Sequence, residues 1–270
     1  MKRTHVAGLI AASAIVGGVF LWRQNSRTPT PARLLSSVGQ DANNVAADVI
    51  AVRRRLGSLG FSWVSSEKSD VDAELIACLK LVESILAGRH AVSGDGRVDP
   101  GARWLVAETN APVWMKMPLK GEGFVNFERM DLTDQHDYGV HWLAQAITHA
   151  GKHYSRYRRK HPRSALLTVN DVSLPRGGNT PDHAGHECGM ACDLRLPRLD
   201  GQSGGITIDD DAYDRPAARA QLAALWDAGA SRALFNDRAL IAEGLCRRAK
   251  GHDNHIHFEI PPPDAKGKKV

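Results

Sequence analysis

The chain has 270 residues, 43% of them hydrophobic and 24% charged, with a formal charge of +5. This composition excludes a disordered or fibrous protein and supplies a core for one large or two modest domains. The basic excess gathers in RYRRKHPR (156–163) and in the KGKKV tail (266–270), which reads as solvated surface or as attraction to an anionic polymer or membrane.

At the N-terminus, Lys2 and Arg3 precede an uncharged apolar run from Val6 to Trp22. Seventeen apolar residues reach the lower limit for crossing a bilayer, and no small-x-small cleavage site follows. Residues 1–24 are therefore expected to be an uncleaved anchor, with a cleaved signal peptide as the alternative. The basic end then faces the cytoplasm. The body is then expected to be periplasmic or otherwise extracytoplasmic, held to the inner membrane of the cell envelope by residues 6–22 if the segment is not cleaved. Residues 25–44, polar and proline-containing, read as a linker.

From residue 45 the pattern turns helical. Val49, Val52, Leu56 and Leu59 recur at spacings of three and four up to Gly60. A second helix follows Ser69 or Asp70, with Leu75, Leu79, Val82 and Leu86 on one face and Gly88 at its end. A third is expected from Asp99 as N-cap and Pro100 at the first helical position. Residues 45–112 thus read as a three-helix module, and 113–130 as a connecting segment.

Residues 131–263 begin with an amphipathic segment (138–154). They continue with short β-rich stretches, SALLTVNDVSL, MACDLRL, RALFNDRAL and HIHFEI, and with one more helix over RPAARAQLAALWDAG. The expected fold is α+β, with a small antiparallel sheet after the helical module and a basic tail at 264–270. Cys78, Cys188, Cys192 and Cys246 permit three full disulfide pairings and are equally compatible with free thiols, Cys78 being on a helical pattern.

Two short windows carry the chemistry. His255 and His257 alternate on a strand and leave from one face, with Ile256 and Phe258 on the other. Asp193 shares its strand face with the small Ala191, and Gly189 lets His186 fold back towards it. Two imidazoles and a carboxylate form the three-ligand set of a catalytic zinc ion, whose fourth position is left to water. His255 is then placed beside the open position, to take a proton or to bond the tetrahedral oxyanion. Cys188 and Cys192 are weaker ligand candidates, because Cys192 points away from the Asp193 face.

The stretch PRGGNTPDHAGHECGMACDLRLP together with GHDNHIHFEI resembles the penicillin-insensitive murein endopeptidases. It also resembles the wider superfamily of lysostaphin-type enzymes, D-alanyl-D-alanine peptidases and hedgehog-like domains. The resemblance covers about residues 131–262. It implies Zn2+ held by His186, Asp193 and His257, with His255 as the catalytic histidine. His183 and His252 would line the site or support the ligands, and Arg176, Gly177 and Gly178 are candidate substrate-binding residues. The helical stretch DVIAVRRRLGSLGF, VDAELIACLKLVESIL and GDGRVDPGARWLVAETN resembles a peptidoglycan-binding module. The usual phenylalanine-glutamine pair of that module is replaced by LVES.

The expected activity is zinc-dependent hydrolysis of peptidoglycan cross-links, the resemblance implying a D-alanyl–diaminopimelate bond and stem peptides as partners. A D,D- or L,D-carboxypeptidase of the same group is one alternative. A non-catalytic wall-binding module with structural zinc is the other. Nucleic acid is not an expected partner, since no zinc-finger spacing, recognition helix or aromatic RNA-binding motif accompanies the basic runs.

Overall fold

The computed structural model describes residues 33–106, 110–131, 133, 135–180 and 185–263. The expected anchor (1–24), the first part of the expected linker and the basic tail (264–270) lie outside the described residues. Among the described residues, no helix is long and apolar enough to cross a membrane.

The helical segment starts earlier than its periodicity suggests. Residues 33–44, expected as linker, already contribute β1 (Val38–Gly39), with Leu34 and Val38 buried. Helix α1 (Ala46–Ser58) buries Val49, Val52 and Leu56, the predicted face. Helix α2 (Ala73–Leu86) is capped by the Asp72 carboxylate, which accepts from the Leu75 amide. Among the described residues, the third predicted helix is reduced to a single 3-10 turn at Arg103–Leu105. The cause is local. Arg97–Val98 forms β2 against β1, and the Asp99 carboxylate is taken by the Ser37 hydroxyl and the Arg97 guanidinium instead of capping a helix.

The segment expected to be a connector supplies β3 (Trp114–Lys116), β4 (Lys120–Gly121) and β5 (Phe124–Asn126). Next come β6 (Tyr138–Val140), α3 (His141–Lys160), β7 (Leu167–Val169) and β8 (Ala191–Arg195). The chain closes with α4 (Arg215–Asp227), β9 (Arg232–Leu234), α5 (Arg238–Ala242) and β10 (His255–Glu259). The second half of RALFNDRAL is thus α5, because the Asp237 carboxylate caps the amides of Ala239 and Leu240.

The fold is α+β around a six-stranded sheet of order β4-β5-β7-β8-β10-β9. The sheet is mixed where an antiparallel one was expected. Strands β5 and β7 run parallel, since the long helix α3 carries the chain across between them. All other pairs in this sheet are antiparallel.

One hydrophobic core joins the helical segment to the sheet. It includes Val52, Leu56, Leu79 and Val82 together with Leu143, Ile147, Leu194 and Phe258. Trp114 links the two parts. Its ring lies 5.9 Å from Phe61, its indole N–H donates to the Pro175 carbonyl at 2.9 Å, and its amide donates to the Leu59 carbonyl.

Candidate metal centre

The register of β8 and β10 builds the centre. His257 pairs with Asp193, Glu259 with Ala191 and His255 with Arg195, so these six residues share one face of the sheet. Cys192, Leu194, Ile256 and Phe258 occupy the other face and are buried in the core. Opposite Glu259, the methyl side chain of Ala191 leaves room above the sheet.

His186 reaches this face from the turn before β8. Gly189 makes the turn with φ +60°, and a Cβ there would lie 2.5 Å from the Gly139 Cα, so only glycine fits. The His186 Nδ1–H donates to the Val172 carbonyl at 2.7 Å. Since a carbonyl can only accept, the proton is fixed on Nδ1 and the Nε2 lone pair is left facing the centre.

His186 Nε2, Asp193 Oδ1 and His257 Nδ1 form a triangle with edges of 3.2, 3.3 and 2.9 Å. All three residues are buried. A tetrahedral ion with ligand bonds of about 2.0–2.1 Å holds its ligand atoms about 3.3 Å apart, so the triangle fits such an ion. The donor set also suits a borderline divalent cation: two imidazoles and one carboxylate. On the far side of the His257 ring, the Nε2–H donates to Glu259 Oε1 at 3.3 Å, the carboxylate–histidine arrangement that supports many metal ligands.

The electrostatics agree with a site built for a cation. Burial alone would lower the His257 pKa, but the hydrogen bonds to Asp193 and Glu259 outweigh it and push the ring up to about 9. A proton on Nδ1 then lies between Asp193 and His186, in the place an ion would take. Burial likewise opposes ionisation of Glu259. The hydrogen bond from His257 and the nearby His90 and Arg232 overcome that, leaving its pKa below the usual value.

His255 stands at the open edge, its side chain 23% exposed, with Nε2 3.6 Å from Asp193 Oδ2. Its Nδ1–H donates to the Asn254 side-chain oxygen at 2.8 Å, which leaves a lone pair on the nitrogen that faces the ligands. The His252 ring is 4.7 Å from that of His255 and 5.7 Å from that of His257, so it lines the same opening. His183 lies outside the described residues.

The Arg176–Gly178 turn lies against α2. Arg176 pairs with Glu74 of α2 at 3.0 Å, and Gly178 donates its amide to the Glu187 carbonyl. A Cβ on Gly177 would lie 2.8 Å from Leu81 Cδ2. These residues brace the turn carrying His186 against the helical segment, and glycine is required at 177 by its φ of +66° and by the Glu187 carbonyl, 2.9 Å from where a Cβ would lie.

Two supporting residues were missed in the sequence. Glu259 continues the same-face alternation of His255 and His257, so the period-two pattern could have revealed it. His90 could not have been found that way: it lies 3.3 Å from Glu259 across a long sequence separation and has no local signature. A second trio, Glu128, His136 and Asp171, also brings its donor atoms within 4.8 Å of one another. Within this second trio His136 Nδ1 and Asp171 Oδ1 are 3.5 Å apart.

All four cysteines are free and buried. No family model matches the chain, and no curated protein matches it.

Proposed function

We propose that the chain is a zinc-dependent murein endopeptidase, akin to the penicillin-insensitive enzymes, that hydrolyses peptide cross-links of peptidoglycan, D-alanyl–diaminopimelate bonds first among them. The observation that carries this reading is the buried His186–Asp193–His257 triangle with the partly exposed His255 beside it. Structural zinc sites are closed by a fourth protein ligand; among the described residues this set offers three, with His255 as a neighbouring base.

Zinc held there supplies a water of pKa about 7 and polarises a peptide carbonyl. The chain's own groups do the rest. Asp193 and the two imidazoles fix the reacting centre, with their remaining nitrogens tied to Val172 and Glu259. His255, with Nδ1 anchored on Asn254, takes a proton at Nε2 during attack and returns it to the leaving amine. The basic end of α3, with Arg158, Arg159 and Lys160, is suited to an anionic wall or membrane surface. The N-terminal apolar run would hold the enzyme in the envelope.

Digestion of purified sacculi by the zinc-loaded chain, followed by mass spectrometry of the muropeptides, tests this. Loss of cross-linked dimers is expected. Shortened stem peptides with dimers retained would indicate a carboxypeptidase, and untouched sacculi that retain the protein would indicate a wall-binding module.

A further inference from the structure

We propose that His90, contributed by the helical segment, is a positioning residue of the metal centre: through Glu259 it fixes the His257 ring so that Nδ1 faces the other two ligands. The inference rests on the metal-binding part of the reading above, and not on the substrate.

The chain of contacts is short. His90 Nε2 lies 3.3 Å from Glu259 Oε2, and Glu259 Oε1 lies 3.3 Å from His257 Nε2. Arg232 Nη1 holds the same carboxylate at 3.2 Å from the outer side of the sheet. Glu259 is buried, so its position depends on the groups that satisfy its oxygens. His90 Nδ1 is buried and has no hydrogen-bond partner among the described residues. The ring's proton is accordingly best placed on Nε2, where the carboxylate accepts it. Burial also lowers the His90 pKa, which favours this neutral form.

The segment carrying His90 is itself tied to the centre. Two residues on, the Val92 amide donates to Glu187 Oε2 at 2.7 Å, and Glu187 follows the ligand His186. With Arg176–Glu74 and Gly177 against Leu81, this gives the helical segment three separate holds on the loop and strand that present the ligands. The segment is thus an integral wall of the metal centre. A detachable wall-binding unit would have no need of a side chain reaching the partner of a metal ligand.

The test measures zinc affinity of the full chain by competition with a chromophoric chelator. The absorption spectrum of the cobalt-substituted protein reports ligand geometry alongside it. His90→Leu fills the space without a donor, and His90→Gln places an amide N–H near the original nitrogen. Affinity is expected to fall about 10- to 100-fold in His90→Leu, the range for losing a support behind a ligand, and to return towards wild type in His90→Gln. If the leucine variant does not retain wild-type circular dichroism, His90→Ala takes its place.

Because His90 is argued to act through Glu259, adding His90→Leu to Glu259→Ala should cause no further loss. Unchanged affinity in a folded His90→Leu protein overturns the proposal, as does an undiminished loss in the Glu259→Ala background. Absence of zinc binding by the wild-type chain is a different result: it removes the metal centre itself, and the proposed activity with it.

Discussion

Asp193 on β8 and His257 on β10 face each other across an antiparallel pair, with Oδ1 and Nδ1 2.9 Å apart. Their neighbours along the strands, Cys192 and Phe258, form the next pair and point into the core. A slip of one residue in either strand would turn a ligand into the core, so burial of the apolar face also fixes the metal face.

Ligand substitutions separate metal binding from folding. His186→Ala and His257→Ala are each expected to purify folded and with almost no zinc. Their affinity should fall by more than the roughly 100-fold that removal of a supporting group costs. Elemental analysis and circular dichroism on the same samples check this, and a variant that keeps full metal content would remove that residue from the ligand set.

His255 should behave differently. His255→Ala is expected to keep its zinc and to lose about 10²- to 10⁴-fold in hydrolysis, the usual contribution of a positioned acid–base group. Muropeptide release from sacculi measures it. Undiminished activity would show that proton transfer runs elsewhere.

The His257 ring gives a signed pH dependence. Its pKa rises from 6.5 to about 9 in the folded, metal-free protein. A raised histidine stabilises fully below its unfolded value and loses that contribution as pH rises through the folded value. Chelator-treated protein is therefore expected to lose stability between about pH 6.5 and 9, on the order of 3 kcal/mol from this group. His257→Gln should flatten that slope. Metal binding has the opposite sense, because an ion takes only the deprotonated ring: apparent affinity rises with pH up to about 9, and binding at pH 7 releases protons. Calorimetry in buffers of different ionisation enthalpy reads the release, and proton-neutral binding would contradict it.

The cysteines are expected to be silent. Burial pushes the Cys246 thiol up to about 11 and Cys188 up to about 12, and raises Cys78 and Cys192 further. Thiols so protonated react slowly. Native protein should resist alkylation and show the same melting temperature with and without reductant, whereas denatured protein should take up four labels. A reductant-dependent melting temperature would reveal a disulfide.

Much of the centre was legible because it is written locally. The HIH alternation, the small Ala191 and the Gly189 turn each state a local geometry, and the structure assembles them as read. Helices α1 and α2 were legible for the same reason, their apolar faces recurring at helical spacing. What escaped depends on distant partners. Asp99 looks like an N-cap until Ser37 and Arg97 claim it, and β5 looks like a connector until β7 pairs with it. The contacts of the Arg176–Gly178 turn with α2, Arg176 to Glu74 and Gly177 beside Leu81, likewise carry no local signature. His90 carries no signature because only the tertiary fold brings it to Glu259.

X-ray absorption at the zinc edge, measured on the purified zinc-loaded chain, tests the metal centre most directly. One zinc per chain is expected, with a first shell of nitrogen and oxygen at about 2.0–2.1 Å and the outer scattering of two imidazoles. Sulfur at about 2.3 Å, or a chain that holds no stoichiometric metal, would contradict it.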